Sequence, residues 1–222
     1  VFRTDTILIY LILTSIVMLI YFKRKELIYI TLVLILLLSA NLSYTSILRR
    51  QQQKIIFYSI NKQSSIGFIN GKSQFVIANQ TLLNDSKASK FQLDGAKSLY
   101  GIDESITCAI ERNAIFPKGN PSRISSLNNV GNNFLFHDKR VILVDSIPML
   151  EGNFAKLKVD YLVIRNNPGF RIADLLKIYE AKMIIIDGSN SVYRTDKWIA
   201  ECKTAGIETY SLKEYGAYVV DL

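Results

Sequence analysis

Two membrane-length apolar stretches near the N-terminus constrain the fold of this chain more than any other feature. Thr6–Phe22 and Leu27–Leu48 are separated by Lys23-Arg24-Lys25-Glu26, the only charged residues in this part of the sequence. An α-helix needs about 20 apolar residues to cross the hydrocarbon core of a bilayer. Because the connection is so short, we expect residues 6–48 to form a transmembrane helical hairpin in contact with the lipid bilayer.

The flanks of the hairpin bear on its role and orientation. A cleavable signal sequence is disfavoured, since three basic residues and no small-residue cleavage site follow the first stretch. The chain begins with Val1, and two bare helices make a poor pore. We therefore expect the last spans of a multi-pass protein, packed against its remaining transmembrane part. The alternative is a hairpin that anchors the following domain by itself.

Basic residues on both sides of the second stretch give opposing signals about topology. Lys23, Arg24 and Lys25 favour a cytoplasmic loop, which puts the following domain on the external or periplasmic side. Arg49, Arg50 and Lys54 follow the second stretch and favour the reverse orientation. We expect the domain on the external side. The membrane-flanking basic residues are Lys23, Arg24, Lys25, Arg49 and Arg50, and we expect Arg49 and Arg50 to contact lipid headgroups.

Residues 54–222 have the composition of a soluble domain with a mixed α/β pattern. Asn70-Gly71 lies between two apolar runs and predicts a tight β-hairpin. Phe134–Phe136 and Val141–Val144 predict a second hairpin around His137-Asp138-Lys139. The remaining predicted strands of the first half are Lys54–Ile60, Ser65–Ile69, Gln74–Asn79 and Ile106–Glu111, with a helix in Asn84–Lys97 and a loop in Pro117–Asn133.

The second half alternates between strands and helices. Lys182–Ile186 is a continuous apolar run, typical of a strand covered on both faces. We expect it between Asp160–Ile164 and Ile207–Leu212. The helices Arg171–Glu180 and Thr195–Thr204 are expected to pack on this sheet, with Trp198 buried and Gly206 as the C-cap of the second. Ala217–Val220 is predicted to be a closing strand, and Cys108 and Cys202 are expected to be unpaired thiols.

Several segments of the domain resemble the C-terminal region of the ComEC-type competence proteins. The resemblance lies in the runs Val159–Ile164, Asp187–Ser191, Ala205–Ile207 and Tyr215–Ala217, and in the opening order Asn61–Ser65 and Asn70–Lys72. These are multi-pass proteins of bacterial DNA uptake, located in the cytoplasmic (inner) membrane. The resemblance implies a reduced metallo-β-lactamase-like domain after the last transmembrane helices, and single-stranded or double-stranded DNA as a partner.

The metal ligands of such a hydrolase have no counterpart here. The chain has one histidine, His137, and no His-x-His-x-Asp-His run. Arg165 stands after the strand where the family has a further histidine. A metallohydrolase needs His and Asp ligands to activate water, so we expect no enzyme activity, no cofactor and no metal. Asp145 and His137 are expected to be turn residues that tolerate replacement by Ala.

The turn Asp187-Gly188-Ser189-Asn190-Ser191 is the most specific polar motif that is left. It follows a buried strand, where α/β folds often bind ligands, so Asp187, Ser189 and Asn190 are candidate ligand contacts. Ser and Asn are also preferred N-cap residues, which makes a plain turn and cap the simpler interpretation. Residues 49–222 keep 23 basic and 17 acidic side chains, a modest excess that permits DNA binding without indicating it.

The predicted function is therefore that of the C-terminal part of a DNA-uptake channel protein with a catalytically inactive domain. Two alternatives stay open. One is a membrane-anchored hydrolase with a different site around Asp145 and Asp187. The other is a membrane-tethered interaction module.

Overall fold

The computed structural model describes residues 2–110, 126–147 and 155–222. The chain divides into two compact units, Val1–Gln51 and Gln52–Leu222. The first is helical, and the second contains two mixed β-sheets with flanking helices, which confirms the predicted α/β class.

The first unit consists of two antiparallel helices, α1 (Phe2–Phe22) and α2 (Glu26–Gln51). Both are long and apolar enough to cross a membrane by length and composition. Two polar pairs join them: the Ser15 and Thr31 hydroxyls lie 2.8 Å apart, and the Asn41 amide donates to the Asp5 carboxylate. Such interhelical hydrogen bonds stabilise helix pairs in an apolar surrounding, because the alternative is an unsatisfied polar group.

The second unit contains eleven strands and five short or medium helices within its described residues. Their bounds are β1 (Gln53–Phe57), β2 (Ser65–Asn70), β3 (Ser73–Asn79), α3 (Gln80–Asn84), α4 (Ser86–Tyr100), β4 (Glu104–Ile110), β5 (Leu127–Val130), β6 (Asn133–Phe136), β7 (Lys139–Val144), β8 (Leu157–Ile164), α5 (Ile172–Ile178), β9 (Tyr179–Ile186), α6 (Val192–Ala205), β10 (Glu208–Ser211), α7 (Leu212–Tyr215) and β11 (Tyr218–Asp221).

The strands form two sheets. The first has the order β11-β1-β2-β3-β4 and the second has the order β10-β9-β8-β7-β6-β5. In the second sheet β7, β8, β9 and β10 run parallel to one another, while β5 and β6 pair antiparallel. The hairpin predicted at Asn70-Gly71 joins β2 and β3, with Gly71 at φ 61°. The hairpin predicted around His137 joins β6 and β7.

The sheets pack face to face, and each is covered on its outer face by helices. Phe57, Phe68, Phe134 and Phe136 lie in the shared core between the sheets. The outer face of the first sheet packs on α3 and α4, and that of the second on α5 and α6. The four layers are therefore helix, sheet, sheet, helix.

Strand β9 shows why its run of apolar residues was a reliable signal. Met183 and Ile185 point into the core between the sheets, while Ile184 and Ile186 pack under α5 and α6. The predicted neighbours β8 and β10 flank it on either side. Trp198 is 1 % exposed, and its indole donates to the Phe170 carbonyl at 3.1 Å. The predicted position of β9 and the burial of Trp198 are both confirmed.

Some details differ from the sequence-based expectations. Helix α5 ends at Ile178, because Tyr179 already pairs with Leu157 in the sheet. The closing strand β11, for which the sequence predicted no partner, pairs with β1 in the first sheet. Part of the loop expected in Pro117–Asn133 is strand β5, since Leu127 and Asn129 alternate inward; residues 117–125 lie outside the described residues.

Candidate functional site

Three ionisable residues follow three neighbouring parallel strands. Asp145 follows β7, Arg165 follows β8 and Asp187 follows β9. The strands are in register at their carboxyl ends, with Val144 opposite Ile164 and Ile164 opposite Ile186. The three side chains are thus placed side by side at one edge of the sheet, and all three are buried.

Arg165 and Asp145 form a buried, bidentate ion pair. The guanidinium donates from Nε to Oδ1 at 2.5 Å and from Nη2 to Oδ2 at 2.7 Å. The side chains are 0 % and 2 % exposed. Two parallel bonds fix the planar groups relative to each other as well as neutralising them. The remaining nitrogen, Nη1, is buried and has no hydrogen-bond partner among the residues that the structure describes.

The loop after β8 is held in an unusual backbone conformation. Asn166 and Asn167 have φ values of 62° and 55°, in the left-handed region that Asn tolerates better than most residues. Both backbone N–H groups donate to the neighbouring loop: that of Asn166 to Ser189 Oγ at 2.6 Å, and that of Asn167 to Asn190 Oδ1 at 2.9 Å. These bonds tie the loops after β8 and β9 together.

Asp187 organises the turn that follows β9. Its Oδ1 accepts from the Ser189 backbone at 2.9 Å and from the Ser189 hydroxyl at 2.5 Å. The Asn190 amide bonds back to the Ile164 carbonyl at 2.6 Å. Burial raises the pKa of Asp187 to about 6, although hydrogen bonds from Ser189 and Ser64 and the charge of Arg165 favour the ionised form.

Gly188 brings the first sheet against this turn. Its carbonyl accepts from the Lys62 backbone N–H at 3.0 Å, in the loop between β1 and β2. A Cβ at position 188 would lie 2.0 Å from the Ile60 carbonyl oxygen. Only glycine fits such a close backbone approach. The β1–β2 loop and the β9–α6 turn are therefore locked to each other at the carboxyl edge.

The structure brings together the predicted contact residues Asp187, Ser189 and Asn190, and it uses them as a turn. Ser191 is the N-cap of α6 and accepts from the Arg194 N–H at 3.4 Å, as the simpler interpretation predicted. The predicted membrane-flanking residues lie at helix ends. Lys23, Arg24 and Lys25 connect α1 to α2, and Arg49 and Arg50 are in the last turn of α2.

The expectation that Asp145 is a tolerant turn residue needs correction. Asp145 is buried, accepts both donors of Arg165, and receives a third bond from the Asn166 amide at 3.3 Å. Sequence reasoning placed both Asp145 and Arg165 at strand ends but did not pair them. The available signal was two opposite charges directly after adjacent apolar strands, at VILV-Asp145 and YLVI-Arg165.

His137 lies at the other end of the sheet. It sits in the β6–β7 turn at φ 52°, with its ring against Phe136. Asp145 follows β7, whereas His137 precedes it, and a strand of this length spans roughly 20 Å. His137 therefore does not take part in the strand-end site.

The two thiols are also separate: Cys108 is half-buried in β4 and Cys202 is buried in α6, and neither is in a disulfide.

The chemistry of this edge is that of a fixed internal salt bridge. A guanidinium supplies the positive charge between the strand-end carboxylates. In the part of the chain that the structure describes, no three His, Cys, Asp or Glu side chains form a group that could hold a metal ion. Most donors and acceptors of the site are paired within the protein. The buried side chains of Asp145, Arg165 and Asp187 therefore hold the loops that follow β7, β8 and β9 in place.

These features define a two-sheet α/β domain that follows a helical hairpin of membrane-spanning length and carries an ion pair at the carboxyl edge of its parallel strands. The family model described as the ComEC C-terminal domain matches residues 55–222, and the chain belongs to this family. Neither the curated proteins nor the solved structures gave a match.

Family membership supports a role in the uptake of DNA during competence. Together with the two apolar helices, it indicates a membrane protein. The resemblance of residues 159–164, 187–191, 205–207 and 215–217 to ComEC-type proteins is thereby confirmed.

Proposed function

We propose that this chain is the C-terminal part of a multi-pass channel protein for DNA uptake, and that its soluble domain is catalytically inactive. The domain has a binding or structural role and does not hydrolyse DNA. The domain would be a reduced metallo-β-lactamase-like fold whose metal chemistry has been lost. Its two-sheet, four-layer arrangement is compatible with that relation. The remaining transmembrane part of the same protein would pack on the exposed apolar side chains of α1 and α2.

The buried Asp145–Arg165 pair carries the proposal. A metal-dependent hydrolase needs an open coordination site with several His and carboxylate ligands. Here one strand-end carboxylate is held by a guanidinium on both oxygens, and the chain has a single histidine. The position beside Asp145 is thus occupied by the guanidinium of Arg165. This cation is covalently attached to the chain and cannot coordinate and activate a water molecule as a metal ion does.

The rival hydrolase around Asp145 and Asp187 has one observation in its favour, which is the raised pKa of Asp187. Perturbed carboxyl groups often mark catalytic sites. Asp187 is 2 % exposed, however, and its turn is closed by Ser189, Asn190 and the β1–β2 loop. A general base must reach the proton that it abstracts, so burial by the protein itself argues against this role.

The proposal includes a topology. The domain would lie on the external or periplasmic side of the bacterial inner membrane, with Lys23, Arg24 and Lys25 in the cytoplasm. The proposal follows the three basic residues of this loop, against which Arg49, Arg50 and Lys54 after α2 favour the reverse orientation. The DNA would then meet the domain before or while the DNA crosses the membrane.

The test is a hydrolysis assay on the purified full-length chain. It would be incubated with single-stranded and double-stranded DNA in the presence of Mg²⁺, Mn²⁺ or Zn²⁺. We expect no cleavage above that of an Asp145→Asn preparation made in parallel. Cleavage by the wild type that is lost in Asp145→Asn or Asp187→Asn would overturn the inactive-domain proposal in favour of the rival.

A further inference from the structure

The two sheets end on the same side of the domain, each at a short strand. β10 is the last strand of the second sheet, and β11 is the last strand of the first. The ring centroids of Tyr210 in β10 and Tyr218 in β11 lie 4.6 Å apart, so the two strands are neighbours across the gap between the sheets. Among the described residues, β10 pairs with β9 alone and β11 with β1 alone. A strand edge without a partner presents backbone N–H and C=O groups that another chain can pair with.

A row of tyrosine rings lies along this side of the domain. Tyr215 contacts Tyr210, with ring centroids 5.4 Å apart, and Tyr218 contacts Tyr161 at 6.4 Å. Tyr215 is 66 % exposed, while Tyr210 and Tyr218 are half-buried. Cations are attracted to the faces of such rings, and an arginine guanidinium also stacks on them. We refer to β10, β11 and these four tyrosines as the tyrosine edge.

The segment that contains both strands carries unpaired negative charge. The charged side chains of residues 207–222 are Glu208, Lys213, Glu214 and Asp221. The Lys213 ammonium donates to the Asn190 carbonyl, and Asp221 pairs with Lys54. Glu208 and Glu214 are exposed, and neither forms a salt bridge with any residue that the structure describes.

The cations of the surrounding elements are directed elsewhere. Each lysine on β1, β7, β8 and β9 has an acidic neighbour. The ion pairs are Lys54–Asp221, Lys139–Asp138 and Lys182–Asp160, and Lys158 stands opposite Glu180 in the register of β8 and β9. Arg140 alternates with Val141, which faces the core between the sheets, and so points to the other face. The exposed Lys203 is in α6, which packs on the outer face of the second sheet.

Glu208 lies on the same face of the second sheet as the tyrosines. Glu208 and Tyr210 are two residues apart in β10, and side chains with that spacing point to one face of a sheet. Tyr210 packs against the core between the sheets. Burial raises the pKa of Tyr218, and the nearby negative charge of Glu208 raises it further. A cation placed on the rings of Tyr210 and Tyr218 therefore also meets the carboxylate of Glu208.

We propose that the tyrosine edge binds an extended, basic segment of a partner protein. The segment adds as a strand to the free edge of β10, and its main chain supplies most of the affinity. An arginine of the segment lies on Tyr210 and Tyr218, with its guanidinium against the Glu208 carboxylate. Neither DNA nor the Asp145–Arg165 pair takes part in this binding, which is distinct from the proposed function.

The experiment measures the affinity of the full-length chain, in phosphatidylcholine nanodiscs, for a short fluorescent peptide in which arginine and valine alternate. Zwitterionic lipid avoids direct attraction of the peptide to the membrane. The test variant is Glu208→Gln, and the matched control is Glu104→Gln, which removes an exposed carboxylate from the first residue of β4, at the other edge of the first sheet. Glu208→Gln should weaken binding about five-fold, the upper range for an exposed ion pair, and Glu104→Gln should bind like the wild type.

The rings and the strand edge have their own tests. Tyr210→Leu should weaken binding about three-fold, while Tyr210→Phe, which keeps the ring, should bind like the wild type. Methylation of the backbone nitrogens of one alternate set, either the arginines or the valines, should weaken binding about ten-fold, because those nitrogens then cannot donate to β10. Methylation of the other set, which points away from β10, should have little effect. Circular dichroism confirms that each variant is folded.

Several results would overturn the tyrosine edge as a binding site. They are the absence of saturable binding at millimolar peptide, equal losses in Glu208→Gln and Glu104→Gln, and equal effects of the two methylated peptides. A wild type that is dimeric in the nanodisc, and that Tyr210→Leu makes monomeric, would assign the edge to a second copy of the chain and also overturn the inference. DNA hydrolysis is measured independently, so the inactive-domain proposal stands or falls separately.

Discussion

Replacing Asp145 by Ala should destabilise the domain strongly. The change leaves the Arg165 guanidinium without its bidentate partner at a position that is 0 % exposed. Removing one member of a buried ion pair costs about 3–5 kcal/mol, because the other charge stays desolvated. A typical domain has a stability of about 5–15 kcal/mol, so the loss is between about a fifth and all of it.

The double variant separates the ion pair from its surroundings. In Asp145→Ala/Arg165→Met the unpaired guanidinium is removed as well, so we expect it to recover about 2 kcal/mol relative to Asp145→Ala alone, measured at pH 5, where Asp187 is mostly protonated. Unfolding in urea can be followed in the full-length chain through Trp198, the single tryptophan, which is buried in the second unit. A loss below about 1 kcal/mol in Asp145→Ala, the range of a surface pair, would refute the reasoning.

Four further predictions follow from other parts of the structure. Trp198→Ala should cost about 3–5 kcal/mol in the free energy of unfolding, measured by circular dichroism. The folded-state pKa of Asp187 is about 6, above its ordinary value of 3.8. The contribution of this group to stability is therefore fully present below about pH 3.8 and is lost as the pH rises through 6. Asp187→Asn should remove this decline in the free energy of unfolding, which is up to about 3 kcal/mol between pH 4 and 7. Gly188→Ala should lower the midpoint of unfolding, because its Cβ meets the Ile60 carbonyl. Thiol labelling of single cysteines at Lys25 and Ser126, with both native cysteines replaced, should mark opposite sides of the membrane, and same-side labelling would contradict the hairpin.

The elements that sequence reasoning found best were those fixed by local pattern. Lys182–Ile186 has no polar face, so it had to be covered on both sides, and it is. Gly71 supplies the positive φ that the turn between β2 and β3 requires. Gly206 closes α6 at φ 70°, as expected of a C-cap. Each of these features depends on a few neighbouring residues alone.

The features that it missed depend on which strands become neighbours. The pairing of Asp145 with Arg165 follows from the register of β7 and β8 across a gap of 20 residues. The passage of β11 to the other sheet follows from its pairing with β1, which no local signal specifies. The close approach of Gly188 to Ile60 likewise joins the two sheets. Long-range partners of this kind are set by tertiary packing and not by periodicity.

Metal analysis of the purified full-length chain tests the central claim most directly. In the proposed inactive domain a guanidinium, and not a metal ion, supplies the positive charge beside Asp145. Protein expressed with added zinc and manganese and measured by mass spectrometry should contain no stoichiometric transition metal. One or more tightly held ions per chain, lost in Asp145→Asn, would contradict the account and restore the case for a metal-dependent hydrolase.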